Sequence, residues 1–316
     1  MESPFPTKQV IEDAAKRIAP FVHRTPVLCS SSINAMFGFE LFLKCENFQK
    51  IGAFKYRGAT NAVLMLSADE RKSGVATHSS GNHAQALALA AKINGLKAYI
   101  VMPENSSSVK INAVKGYGAE VILCAPNQKS REDTLAEVLR KTGATLVHPY
   151  NNYSIIAGQA TAAKEFIEDV KDLDIIMAPV GGGGLLSGTA LSTHYFSPKS
   201  VVIAGEPINA DDAYRSLQKG EIVPANPPST IADGLLTSLG DKTFDIIRKH
   251  VKEIITVSEE DIIVAMRLVW ERMKIIIESS SAVPIAAAIK NKDQFKGKRI
   301  GIIISGGNVD LNKLPF

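Results

Sequence analysis

The stretch GAFKYRGA, from Gly52 to Ala59, holds the residue best suited to covalent chemistry. Lys55 stands between Phe54 and Tyr56, with Arg57 next to them. Bulky apolar neighbours strip water from an amine, which disfavours the ammonium and lowers its pKa. A neutral amine is a nucleophile that condenses with carbonyl compounds. A lone lysine is far more often a solvated helix residue, so the reading depends on three further stretches. GGGG, at Gly181 to Gly184, follows an apolar strand and opens a helix. Bare N–H groups at such a turn converge on an anion, and a phosphate suits them. The spacing is not GxGxxG, because Ser187 stands where a glycine is needed, and not a P-loop, because Thr189 rather than lysine follows Gly188. SSGNHAQ, at Ser79 to Gln85, offers hydroxyls and an amide at another helix start, which suits a carboxylate. SGGN, at Ser305 to Asn308, ends the apolar run RIGIII, and a hydroxyl buried there needs a partner. In GEPINADD, Glu206 and Asp212 with a carbonyl between them could hold a hard divalent cation through oxygen. Each stretch alone also has a plain structural explanation. Serines cap helices, glycines make turns, and acids collect at helix starts.

The elements that must carry these residues follow from periodicity. Thr7 to Phe21 reads as an amphipathic helix. Pro26 makes RTPVLC extended, and Ser30 to Ser32 could cap a helix starting near Ile33. ELFLKCENF reads as a strand leading to the helix FKYRGATNAVLML. From Gly74, GVATHSS, AYIVMP, AEVILCA and ATLVHPY alternate with helical stretches up to Tyr150. DIIMAPV, the glycines, LLSGTALSTHYF and SVVIAGEP form a second series, and two helices and RIGIIIS follow from Ile254. Short apolar strands alternating with helices predict parallel sheets covered on both faces. The expectation is an α/β fold of two lobes, each a mostly parallel twisted sheet covered by helices. Residues 71–150 form a small domain inserted in a large one made of 1–70 and 151–316, with the site at the carboxyl ends of the strands.

The 316 residues carry a net charge of +4 with both signs interspersed, which is no nucleic-acid footprint. No apolar run approaches the roughly 18 residues that span a bilayer. The start, MESPFPTKQV, shows no secretory pattern. Cys29, Cys45 and Cys124 fit neither a disulfide framework nor a zinc site, so free thiols in a reducing cytosol are expected.

Taken together, Lys55 in FKYRGA, SSGNHAQ, GGGG and the late SGGN resemble the pyridoxal-phosphate enzymes of the tryptophan-synthase β fold. Within these the chain is similar to the serine racemase and serine/threonine dehydratase branch, from about RTPV to SGGNVDL. The resemblance implies that Lys55 holds pyridoxal 5'-phosphate and moves the α-proton on one face, while Ser80 serves as acid or base on the other. It implies cofactor contacts at Phe54, Asn82, Gly181, Gly182, Gly183, Gly184 and Leu185, with Ser305 bonded to the pyridine nitrogen. Ser79, Ser80, Asn82, His83 and Arg131 match substrate contacts. Glu206, the carbonyl of Ala210, and Asp212 match a metal site for Mg²⁺, Ca²⁺ or Mn²⁺. Ser30, Ser31, Lys50, Gln85, Tyr117, Lys274 and Asn308 match the ATP-effector surface of the mammalian racemases. A small amino-acid substrate, a cytoplasmic homodimer, and racemisation of serine with β-elimination as a side reaction are implied. The alternative is a serine, threonine or 3-hydroxyaspartate dehydratase with little racemisation. Three departures stand out: Ile51 replaces a threonine, Tyr150 stands where an asparagine is usual, and ESSSAV from Glu278 lacks the usual proline after the glutamate.

Overall fold

A computed structural model describes residues 4–106, 108–225 and 229–316. The strands are β1 Val27–Cys29, β2 Glu40–Cys45, β3 Val75–His78, β4 Ala98–Pro103, β5 Glu120–Cys124, β6 Thr145–Leu146, β7 Ile175–Pro179, β8 Val201–Pro207, β9 Glu253–Val257 and β10 Arg299–Ile304. The helices are α1 Lys8–Ile18, α2 Ser31–Phe37, α3 Lys55–Leu64, α4 Ala68–Ser73, α5 Asn82–Ile93, α6 Ser108–Gly116 and α7 Gln128–Thr142 in the first half. They continue as α8 Tyr153–Asp169, α9 Gly184–Phe196, α10 Asp212–Lys219, α11 Asp241–His250, α12 Glu259–Met273 and α13 Ser279–Lys290.

Two sheets form. The larger has the order β1-β2-β10-β7-β8-β9, and the smaller β5-β4-β3-β6. Every pairing is parallel except β1 on β2. All four strands of the smaller sheet lie in the chain between β2 and β7. β10 lies between β2 and β7, with Ile302 beside Leu43 and Met177. Its residues Ile300, Ile302, Ile303 and Ile304 are fully buried, as a central strand covered on both faces requires.

Three expectations from periodicity need correction. α1 stops at Ile18, three residues before Phe21, and Thr7 caps it by accepting from the Val10 N–H. ATLVHPY forms a strand only over Thr145 and Leu146, and the Val147 N–H still donates to the Ala76 carbonyl at 2.9 Å. From His148 the chain leaves the sheet, because His148 accepts the N–H groups of Tyr150 and Asn151 and closes a turn. The segment around Ile254 is an edge strand, β9, before the two helices begin.

The helix that carries Lys55 is held by charge and by bare backbone. Arg57 is fully buried, and its guanidinium donates to Glu46 at 2.7 and 2.9 Å and to Glu165 at 2.8 Å twice. Thr161 and the His23 carbonyl accept as well. Lys44, also fully buried, pairs with Glu165 at 3.0 Å. A buried charge persists only when so paired. α3 meets α8 at Gly58 and Gly158, and a Cβ on Gly158 would lie 2.7 Å from the Gly58 Cα.

Candidate active site

Lys55 begins α3, half-buried, and its Nζ donates to the Pro149 carbonyl at 2.9 Å. The amine lies 5.2 Å from the Phe54 ring centroid. Burial lowers its pKa from 10.5 to about 8, against the opposing pull of the Glu278 carboxylate. Three imidazoles share this region. His83 is pushed down to about 3, chiefly by burial and then by Lys55. His148 is pushed down to about 4 by burial, His78 and Lys55. Burial and Arg131 lower His78. All three are therefore neutral at pH 7. His83 Nε2 meets the Val147 carbonyl at 3.0 Å, so it carries the hydrogen and leaves Nδ1 as a buried acceptor without a partner.

β3 ends at His78, and residues 79–81 turn the chain into α5. Ser79 Oγ closes that turn by accepting the Gly81 N–H. The Ser80 side chain is half-buried and forms no hydrogen bond among the described residues. Asn82 donates to Glu278 at 3.1 and 3.2 Å and accepts from Asn308 at 2.9 Å. Glu278 is 5% exposed, and burial pushes it up to about 7. Ser305 is buried beside it, with its Oγ 2.9 Å from Ser281 Oγ. Arg131 lies on α7, near enough to depress His78, and its Nε is buried without a partner.

The glycine turn joins β7 to α9. Gly183 has φ +87° and no side chain caps the helix. A Cβ on Gly182 would lie 2.3 Å from the Tyr150 ring, and one on Gly181 2.8 Å from the Leu235 Cα. Thr243 donates to the Gly182 carbonyl at 2.9 Å. No acceptor faces the N–H groups of Gly181, Gly182 or Gly183 among the described residues. A helix start with free donors and no room for side chains is an anion seat.

Comparison with known proteins agrees with this geometry. The family model described as "Pyridoxal-phosphate dependent enzyme" matches residues 18–306. The chain belongs to that family. It is 51% identical to a serine racemase of Dictyostelium discoideum, over 98% of this chain and 96% of the relative. It is 49% identical to a β-hydroxyaspartate dehydratase of Paracoccus denitrificans, over 98% of this chain and 99% of the relative. The crystal structure of the Dictyostelium racemase superposes with a TM-score of 0.93, covering 96% of this chain and 99% of the other. The fold is thus the tryptophan-synthase β-like α/β architecture of pyridoxal-phosphate enzymes.

The residues suit the cofactor: a weakly basic amine at Lys55, free backbone donors at the glycine turn, and the buried hydroxyl of Ser305. The metal set also fits. Glu206 and Asp212 are each 1% exposed, and Ala210 lies between them at the end of β8. Glu206 accepts the N–H groups of Ala213 and Tyr214, while Asp212 Oδ2 is buried without a partner. Burial raises both carboxyls, and the nearby Asp211 carboxylate adds to the rise. Among the described residues no cluster of three His, Cys, Asp or Glu forms, but two carboxylates with a carbonyl need none. The nucleotide candidates are only partly gathered. Asn308 donates to the Ile51 carbonyl and Asn82, beside Lys50 and near α5, which carries Gln85. Ser30 and Ser31 start α2, Tyr117 follows α6, and Lys274 ends α12, with no hydrogen bond joining them to Asn308. No described helix is long and apolar enough to cross a membrane.

Glu278, His78 and His148 were missed in the sequence. Only the position of His78 next to SSGN, and of Glu278 at the head of ESSSAV, marked them.

Proposed function

We propose that the protein racemises serine and, as a side reaction, eliminates its β-hydroxyl to give pyruvate and ammonia. The observation that carries this is the weakly basic Lys55 amine, together with a half-buried Ser80 hydroxyl that forms no hydrogen bond among the described residues. When bound, pyridoxal phosphate supplies the electron sink that acidifies the substrate α-proton. Neutral Lys55 takes that proton on one face, and Ser80 returns one on the other. The N–H groups of Gly181 to Gly184 hold the phosphate, with Leu185 alongside, while Phe54, Asn82 and Ser305 address the ring. Ser79, His83 and Arg131 orient the substrate, with residues 71–150 as a small domain inserted between 1–70 and 151–316.

Glu206, Asp212 and the Ala210 carbonyl hold Mg²⁺, Ca²⁺ or Mn²⁺, supported by the unpartnered Asp212 oxygen. ATP acts as an effector at Ser30, Ser31, Lys50, Gln85, Tyr117, Lys274 and Asn308, and the enzyme works as a cytosolic homodimer. Similarity alone supports these last points.

Chiral analysis of products from L-serine, with and without Mg²⁺ and ATP, tests the proposal. D-serine is expected, and its absence with Mg²⁺ present refutes racemisation. Ser80→Ala should suppress D-serine more than pyruvate. A second reading, dehydration of 3-hydroxyaspartate, is favoured by the unpaired Arg131 Nε beside His78. Oxaloacetate formed from 3-hydroxyaspartate much faster than pyruvate from serine would select it.

A further inference from the structure

The run Ser279, Ser280, Ser281 opens α13 directly after Glu278, where the resemblance leads one to expect a proline. A proline at the first helical position would stiffen the turn through its fixed φ. Here three hydroxyls do so instead, each gripping a different place. Ser279 Oγ donates to the Ile231 carbonyl at 2.6 Å. Ser280 Oγ accepts the Gly234 N–H at 3.0 Å. Ser281 Oγ donates to the Gly306 carbonyl and accepts the Gly306 N–H, both at 2.8 Å, and lies 2.9 Å from Ser305 Oγ. Ser280 and Ser281 are 1% and 0% exposed, so no water substitutes for these bonds.

The first two bonds end on the segment 231–235. That segment forms a wall of the glycine turn, since a Cβ on Gly181 would meet the Leu235 Cα at 2.8 Å and the Gly234 carbonyl at 3.3 Å. Two exposed contacts also hold the segment, Lys110 with Asp233 and the Ile231 N–H with Glu259. The third serine ends on the tip of β10, where Ser305 stands. One helical turn is thereby tied to both the phosphate-binding turn and the hydroxyl assigned to the ring nitrogen.

We propose that Ser280 and Ser281 are positioning residues that set the two ends of the cofactor seat relative to each other. The inference rests on the reading that pyridoxal phosphate spans from the glycine turn to Ser305. Ser280 governs the phosphate end through Gly234 and Leu235. Ser281 governs the ring end by holding Ser305 Oγ in place. Ser281 has one hydrogen, which serves either the Gly306 carbonyl or Ser305. In the first arrangement it accepts from Ser305, and in the second it leaves the Ser305 hydrogen for the ring nitrogen. Its removal therefore changes which acceptor Ser305 serves, rather than only how firmly the helix is packed.

The test compares wild type, Ser280→Ala and Ser281→Ala in three measurements. These are affinity for pyridoxal phosphate, affinity for pyridoxal, and the absorption spectrum of the bound cofactor across pH. Wild type must first bind pyridoxal phosphate with borohydride-fixed label on Lys55. Failure there refutes the cofactor reading itself, separately from the serines. Ser280→Ala is expected to weaken pyridoxal phosphate by about tenfold, as loss of one buried hydrogen bond does, and pyridoxal by less than about threefold. Ser281→Ala is expected to shift the absorption band and its pH dependence, with phosphate selectivity kept. If Ser281→Ala does not fold, Ser281→Cys, a poorer donor of similar shape, carries the comparison. Equal loss of both ligands in step with a lower melting temperature of the cofactor-free protein, with the spectrum unchanged, overturns the proposal. So does the absence of any change.

Discussion

The basicity of Lys55 gives a quantitative prediction. With a pKa of about 8, roughly a quarter of the amine is neutral at pH 7.5, against about one part in a thousand for an ordinary lysine. Capture of a carbonyl by the cofactor-free protein should therefore run about two hundredfold faster than at a solvated lysine of equal access. Its rate should climb with pH and level off just above 8, because further deprotonation adds nothing. Stopped-flow mixing of cofactor-free protein with pyridoxal phosphate between pH 6.5 and 10 measures this. Glu278 opposes the shift, since its carboxylate favours the ammonium. Glu278→Gln should move the inflection below 8. The same shift costs stability. The unfolded chain keeps the proton up to 10.5, and the folded chain releases it near 8. Folding is penalised in full below pH 8, and the penalty fades as pH rises from 8 towards 10.5. The difference of 2.5 units corresponds to about 3 kcal/mol. Lys55→Met should stabilise the cofactor-free protein by up to that amount at pH 7 and by little at pH 10. A rate that keeps rising tenfold per pH unit through 9.5, or a Lys55→Met protein no more stable than wild type at pH 7, refutes the reasoning.

Other outcomes follow from the same contacts. Arg57→Met leaves Glu46 and Glu165 without their buried partner and should cost about 3–5 kcal/mol in urea unfolding. Adding Glu46→Gln to that variant should recover part of the loss. Gly183→Ala places a methyl within 2.9 Å of Ile247, Leu239 and Thr243 at φ +87°. It should cost about 2–4 kcal/mol and weaken cofactor binding. Mg²⁺ should raise the melting temperature of the wild type, and Asp212→Asn should abolish that increment, as read by differential scanning calorimetry.

The candidate amine, the glycine turn and the late serine were legible because short local patterns carry them. A lysine between aromatics, four glycines between a strand and a helix, and a serine after an isoleucine run need no distant partner. The parallel sheets were legible for the same reason, as apolar strands alternating with helices. What was hidden depends on pairs far apart in the chain. Arg57 finds Glu165 across 108 residues, and Asn82 finds Glu278 across 196. No periodicity announces such partners. β9 was missed because the half-buried pattern of EIITV at a sheet edge blurs its alternation. No local pattern announces what the serine run does in place of the usual proline, because its hydrogen bonds reach Ile231, Gly234 and Gly306.

The contact between Gly58 and Gly158 has a mechanical consequence. Two helices that touch through naked main chain have no side-chain layer to slide over, so α3 and α8 behave as a single strut. The strut carries the Lys55 amine at one end, while the Pro149 carbonyl that holds that amine and the aromatic ring of Tyr150 sit just ahead of α8.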